Sequence, residues 1–252
     1  MRGPAFTVLF MTALTALCIA GLAWMSRATR QRVESNAELM EMQSMMYAFD
    51  RLPAGIREES MPSSVTTAEI PWDPAVLKED FRMSVQRIDL PVSAAQKDML
   101  AGSHLTVGDS VAVYRCSNPD APESAFGFFM KGKGLWGTIT AFAAVSEDFS
   151  RMIGIDFTEQ VETPGLGARI LEKDFKYYFR NLDISGIGKA GTGQGEVVMS
   201  RKMDATNVQI PTHTFQAITG ATQTCGGVLK MINTDIRFYR EVVESAARAG
   251  LL

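Results

Sequence analysis

Hydroxyl-bearing and small residues crowd into one stretch near the end of the chain, Ile218-Thr219-Gly220-Ala221-Thr222-Gln223-Thr224-Cys225-Gly226-Gly227. The chemistry this composition suits is the holding of a phosphate, or a phosphoester bond to one of the hydroxyls. Apolar residues follow at a helical period: Val228, Leu229, Met231, Ile232, Ile236, Tyr239, Val242 and Val243. A helix N-terminus carries unpaired N–H groups and a partial positive charge, both of which favour an anion. Gly220 and Ala221 would let that anion approach the backbone closely. Thr224 is the expected N-cap, with Gly226 and Gly227 able to set the helix start back by a turn. On these grounds alone an ordinary capped helix is the simpler reading. A second stretch, Val161-Glu162-Thr163-Pro164-Gly165-Leu166-Gly167, places a proline and two glycines within four residues. That is a tight turn which presents Leu166 with little freedom, and its simpler reading is a strand-to-helix connection.

Other patterns carry less. Lys131-Gly-Lys-Gly134 reads as a turn; it lacks the spacing of a phosphate-binding loop, and no Gly-Lys-Ser/Thr follows. Ser185-Gly-Ile-Gly-Lys-Ala-Gly-Thr-Gly-Gln-Gly195 contains a GxGxxG-like spacing, but its polar, glycine-dense context favours a mobile surface loop over a dinucleotide site. His213 reads as structural. Three Cys and two His make neither a zinc set nor a Cys–His pair, and no nucleophile–base–oxyanion set is apparent, so neither a catalytic nor a metal-ligating residue is assigned. Cys116 and Cys225 are either a disulfide in an oxidising compartment or two buried thiols. A formal charge of −3 gives no reason to expect nucleic acid.

The elements that must position these residues lie behind an apolar leader. Ala5 to Met25 is almost uncharged and matches the roughly 20 residues a helix needs to cross a bilayer. No small-x-small cleavage site follows, so residues 1–26 read as a retained anchor with Trp24 at the interface. Residues 27–50 continue as helix, with Leu39, Met42, Met46 and Phe49 as an apolar stripe. Pro53, Gly55, Pro62, Pro71 and Pro74 make an irregular connection of about 53–75, and the segment up to Leu100 is ambiguous. From 101 onwards, runs at Ser110–Cys116, Ala125–Met130, Leu135–Val145 and Met152–Phe157, joined by short polar turns, argue for an antiparallel meander. Asn118-Pro119-Asp120 marks a loop. A helix is expected from Ala168 to about Arg180, then a final strand and helix. The fold class is therefore α+β, in three parts: 1–26, 27–100 and 101–252.

Thr219-Gly220-Ala221-Thr222, with Thr224 two residues on, resembles the flavinylation motif of the FMN-binding domain found in the C subunit of Na+-translocating NADH:quinone oxidoreductase and in the G subunit of the Rnf complex. Glu162-Thr163-Pro164-Gly165-Leu166-Gly167 is similar to a second hallmark of that family, and the upstream Gly134-Leu135-Trp136 resembles its Na+-translocating branch. The resemblance implies an antiparallel-sheet FMN-binding domain with flanking helices, behind one transmembrane helix. It implies FMN held by a phosphoester to Thr222, placed there by a flavin transferase, with Thr219, Gly220, Ala221 and Thr224 around it. Glu162, Thr163, Gly165, Leu166 and Gly167 would lie near the ring, and Trp136 is a candidate ring neighbour. The implied role is electron relay between the subunits of a respiratory NADH:quinone reductase coupled to Na+ transport. The chain would sit in a bacterial inner membrane among lipid, its flavin domain outside the cytoplasm. Arg27, Arg30 and Arg32 argue by the positive-inside rule for the opposite sidedness. One departure is Gln216, where the family usually has Asp. Alternatives are an Rnf-type protein, a free-standing extracytoplasmic flavin carrier, or an anchored assembly module that has lost flavin.

Overall fold

Pro4 opens a helix that runs without a break to Ala48 (α1). The computed structural model describes residues 3–117, 124–188, 196–200 and 212–252. By its contacts the chain divides into two units, Met1–Met40 and Glu41–Leu252. Within the first, α1 is long and apolar enough to cross a membrane, with a mean hydropathy of 2.1 over its most apolar window. Two of its hydroxyls are satisfied within the helix: those of Thr12 and Thr15 donate to the carbonyls of Val8 and Met11 at 2.9 and 2.8 Å. That removes most of the cost of placing a hydroxyl in hydrocarbon.

The second unit begins with the last turns of α1. The proline-rich segment after it is irregular apart from two short 3-10 turns, Glu58–Ser60 and Thr67–Glu69. The stretch whose sequence is ambiguous holds regular structure. Pro74–Ser84 is a helix (α2) capped by Asp73, whose carboxylate accepts from the amides of Ala75 and Val76. Val85–Pro91 (β1) follows directly, then the short helix Ala94–Asp98 (α3).

Among the described residues the main sheet has six antiparallel strands in sequence order: β1, β2 (Ser110–Cys116), β3 (Ala125–Lys133), β4 (Thr138–Ser146), β5 (Arg151–Glu159) and β6 (Leu182–Asp183). This is the expected meander, extended by one strand at each edge. Two short strands, β7 (Val198–Ser200) and β8 (Thr214–Gln216), pair in parallel. The last element is α5, Thr222–Arg248.

Both faces of the sheet are covered, which is why β4 reads as a continuous apolar run and not as an alternation. Ala141, Ala143 and Val145 face the cluster that contains Phe128, Met130, Val228, Met231, Ile232, Ile236 and Tyr239. Phe142 and Ala144 face a smaller cluster with Met45, Ala48, Phe49, Tyr114 and Cys116. Cys116 and Cys225 therefore belong to different faces, and both are free, buried thiols. β3 pairs with β2 only from Ala125 to Gly127. Beyond that its edge is met by α5: the Tyr239 hydroxyl donates to the Phe129 carbonyl and Asp235 accepts from the Lys131 amide, both at 2.9 Å. An open strand edge is thus satisfied by side chains of the helix that crosses it. The crossing is close at Gly227, where a Cβ would overlap the Lys133 carbonyl oxygen.

Three sequence expectations are corrected. Lys131–Lys133 is strand, not turn, because Lys131 and Lys133 point out of β3 on either side of a buried Gly132; the turn is Gly134–Gly137. Leu135 and Trp136 lie in that turn, and β4 begins at Thr138. The helix expected over 168–180 is two pieces, a 3-10 turn Gly167–Leu171 and α4, Lys173–Tyr177. Glu172 between them is extended, and the amides of Lys173 and Asp174 donate to Val65 and Ser63 rather than back along a helix. Asn118-Pro119-Asp120 and residues 189–195 of the glycine-rich loop lie outside the described residues.

Candidate functional site

Three turns meet beside the start of α5. The first is Gly134–Gly137, closed by a bond from the Gly134 amide to the Gly137 carbonyl at 2.8 Å. The second is the turn after β5, where the amides of Leu166 and Ala168 both donate to the Thr163 carbonyl, at 3.1 and 3.2 Å. The third is Ile218–Ala221, which leads into the helix. Gly220 there has φ +83°, a conformation that glycine adopts without cost and other residues do not. The amide of Ala221 donates to the Ile218 carbonyl, and the buried Cys225 sulfur accepts from the Ile218 amide at 3.3 Å. Burial pushes that thiol above its ordinary pKa, so Cys225 is a structural group and not a reactive one.

Between the turns lies a cleft of about 280 Å³, lined by Leu135, Glu162, Thr163, Leu166, Gly167 and the run Gly220–Thr224. Of the residues singled out from the sequence, Glu162, Thr163, Leu166, Gly167, Gly220, Ala221, Thr222 and Thr224 come together here. Thr219 is exposed and does not line the cleft, nor does Gly165, which sits at the turn's outer corner with φ +75°. Trp136 is 68% exposed at the rim, so it is not a core tryptophan; its indole N–H donates to the Thr163 hydroxyl at 3.1 Å. Leu135 and Gln223 were not expected: the Gly134–Gly137 turn brings in the first, and the early start of α5 the second. His213 does not line the cleft.

The helix begins earlier than the capping pattern suggested. Ala221 is the N-cap and offers no side-chain acceptor, and Thr222 is the first helical residue. Cys225 makes the first helical bond, to the Ala221 carbonyl at 3.0 Å. The amides of Thr222, Gln223 and Thr224 find no acceptor among the described residues, so an anion at the cleft would meet three free donors and the positive end of a 27-residue helix. Thr224 is not the cap. It is 1% exposed, and its hydroxyl donates to Glu162 Oε2 at 2.5 Å. Thr222, by contrast, is exposed on the cleft wall.

Glu162 is buried and accepts on both oxygens, with Oε1 bonded to the Trp136 amide at 2.9 Å. Burial pushes its pKa up, but the Thr224 hydroxyl and the amides of Trp136, Leu135 and Gly137 outweigh that and hold it below the ordinary carboxylate range. It is therefore an ionised group in the wall of the cleft.

The antiparallel sheet thus gathers two glycine-bearing turns against an uncapped helix start, and the cleft between them has the free amides that suit an anion. Residues 134–237, which span all three turns and α5 as far as Arg237, match the family model of the FMN-binding domain. The relatives are C subunits of Na(+)-translocating NADH-quinone reductase. That of Chlamydia trachomatis is 31% identical over 134 residues, 50% of this chain and 42% of its own length. That of Vibrio alginolyticus is 32% identical over 99 residues, 39% and 36% of the two chains. The chain thus spans about two fifths of the length of the curated relatives it matches. Two solved structures share the fold. The C subunit of the reductase from Parabacteroides distasonis has a TM-score of 0.58 at 17% identity, covering 85% of this chain and 96% of the other. The Shewanella oneidensis NqrC has 0.53 at 18%, covering 80% and 95%. The resemblance read from the two motifs therefore stands.

Proposed function

We propose that this chain is a membrane-anchored flavoprotein that carries FMN as a phosphoester on Thr222 and relays electrons within an NADH:quinone reductase coupled to Na+ transport. The observation that carries the reading is the placement of Thr222: an exposed hydroxyl on the first helical residue, on the wall of a cleft whose free amides suit a phosphate. The residues present fit the group. Thr222, Gln223 and Thr224 would hold the phosphate through their amides, Gly220 leaves room beside it, and Thr163, Leu166 and Gly167 form the opposite wall. FMN would supply the electron-transfer chemistry; the protein binds it, orients it and limits its exposure. Trp136, fixed by its bond to Thr163, would offer an aromatic face at the rim.

In this reading residues 1–26 anchor the chain, 27–100 connect, and 101–252 carry the flavin, with β1 lending the sheet an edge strand. The domain lies outside the cytoplasm of a bacterial cell membrane, a flavin transferase installs the cofactor, and the other subunits of the complex exchange electrons with it. The names of the relatives support the Na+-translocating complex over the Rnf type. Gln216 remains polar and engaged, accepting from the Tyr178 hydroxyl at 2.9 Å.

The test is in-gel flavin fluorescence of the chain co-expressed with a flavin transferase. Wild type should fluoresce after denaturation, Thr222→Ala should not, and the variant should unfold at the same temperature. Peptide mass spectrometry that places the adduct on Thr219 would overturn the assignment. A wild-type band without flavin would favour the assembly-module reading.

A further inference from the structure

Glu162 joins all three parts of the site. Its carboxylate receives the amide of Trp136 from the Gly134–Gly137 turn and the hydroxyl of Thr224 from the first turn of α5, and it opens the Pro-Gly turn itself. Space around it is tight: a Cβ on Gly167 would come within 2.8 Å of Glu162 and 2.7 Å of the Thr224 hydroxyl. Its donors are neutral, and no lysine, arginine or histidine pairs with it among the described residues. The negative charge is thus held by dipoles alone, in a buried position on the cleft wall.

We propose that Glu162 is the positioning residue of this site: it ties the Gly134–Gly137 turn to the start of α5, and its uncompensated charge in the cleft wall holds the flavin's midpoint potential down. This rests on the reading that FMN occupies the cleft. The physical reason is that electron uptake adds negative charge to the flavin, which a nearby buried carboxylate opposes more strongly than it would in water. The N-terminus of α5 acts in the other direction, and Glu162 offsets it.

Glu162→Gln separates charge from shape. The amide oxygen can accept from the Trp136 amide while its NH2 donates to the Thr224 hydroxyl, which is free to turn. In the full chain in detergent, loaded by a flavin transferase, E162Q should keep wild-type in-gel fluorescence and show a higher midpoint potential by spectroelectrochemical titration. E162A should lose several-fold in loading. An E162Q protein that carries flavin at an unchanged potential, whatever its melting temperature, would make Glu162 merely structural and overturn the proposal. The tie is read without flavin: in the Thr222→Val chain, E162A should speed hydrogen exchange at the Trp136 amide and E162Q should not. Unchanged exchange in E162A would overturn the tie even if the flavin reading holds. Wild type without flavin would sink that reading, while the exchange experiment would still judge the tie.

Discussion

Among the described residues, two buried carboxylates are bonded only to neutral donors, and their pKa values shift in opposite directions. Glu162 has the Thr224 hydroxyl and three turn amides, and stays below its ordinary pKa. Asp235 on α5 is fully buried with two donors, the Ser103 hydroxyl and the Lys131 amide, each at 2.9 Å. There desolvation wins and the pKa rises from 3.8 to about 6. A carboxylate with a raised folded-state pKa keeps its proton longer in the native state than in the unfolded chain. Its effect is absent below the unfolded value, and stability is lost as pH rises through the window up to about 6. The loss amounts to about 3 kcal/mol. Asp235→Asn can accept from Lys131 and donate to Ser103, so it should be more stable than wild type at neutral pH and lack this slope. Urea unfolding of both proteins at about pH 4 and about pH 7 checks it; parallel changes in the two would remove Asp235 as the source. At this scale the sequence disclosed Thr222 and the Glu162 turn, because both sit in short motifs. It did not disclose the role of Thr224. Capping preference is a local rule, and the group that claims this hydroxyl lies 62 positions away.

At the scale of elements, α5 and the strands from Ser110 to Glu159 were legible because period 3.6 and short β-favouring runs are local signals. β1 was not: its exposed positions carry Gln86, Arg87 and Asp89, so as an edge strand it lacks an apolar run. The broken helix at Glu172 was equally hidden, since the amides that break it are claimed by residues 63 and 65, more than a hundred positions away. The adjacent glycines of α5 look equivalent in sequence and are not. Gly226 has open space where a Cβ would go, whereas Gly227 would drive one onto the backbone of Lys133. Gly226→Ala should therefore stabilise by roughly 0.5–1 kcal/mol through helix propensity. Gly227→Ala gains the same propensity but should destabilise by about 3 kcal/mol, because a backbone carbonyl cannot swing away. Chemical denaturation of the two variants gives opposite signs if α5 lies this close to β3. Equal effects would mean the helix sits further out.

On the scale of the whole second unit, the cleft depends on a buried charged cluster on the far side of β5. Lys176 of α4 is 1% exposed; its ammonium lies 2.9 Å from Asp156 of β5, 2.7 Å from the Thr67 hydroxyl, and 4.0 Å above the Tyr47 ring. Beside it Arg180 bonds Glu58 at 2.8 Å and the Tyr47 carbonyl at 2.9 Å, and the Tyr47 hydroxyl bonds Glu58. The last turn of α1, the irregular segment, β5 and α4 are thereby fastened together. β5 runs into Glu162, and α4 follows the Gly167–Leu171 turn, so this cluster sets the two ends of the loop that forms one wall of the cleft. Nothing in the local sequence marks it, since Arg180 and Glu58 are 122 positions apart. A buried ion pair adds little net stability over an apolar pair, yet breaking it by removing one partner leaves a charge without compensation. Lys176→Met should therefore cost about 3–5 kcal/mol, leaving Asp156 with only the Thr67 hydroxyl at 2.8 Å. Lys176→Met combined with Asp156→Leu should recover most of that loss, because no charge is stranded and the volume stays filled. Flavin loading should follow the same order, low in the single variant and restored in the double. Urea unfolding and in-gel fluorescence of the three proteins measure both. If the double variant is as unstable as the single, hydrogen bonds to Thr67 and packing against Tyr47, rather than charge balance, would be what Lys176 supplies.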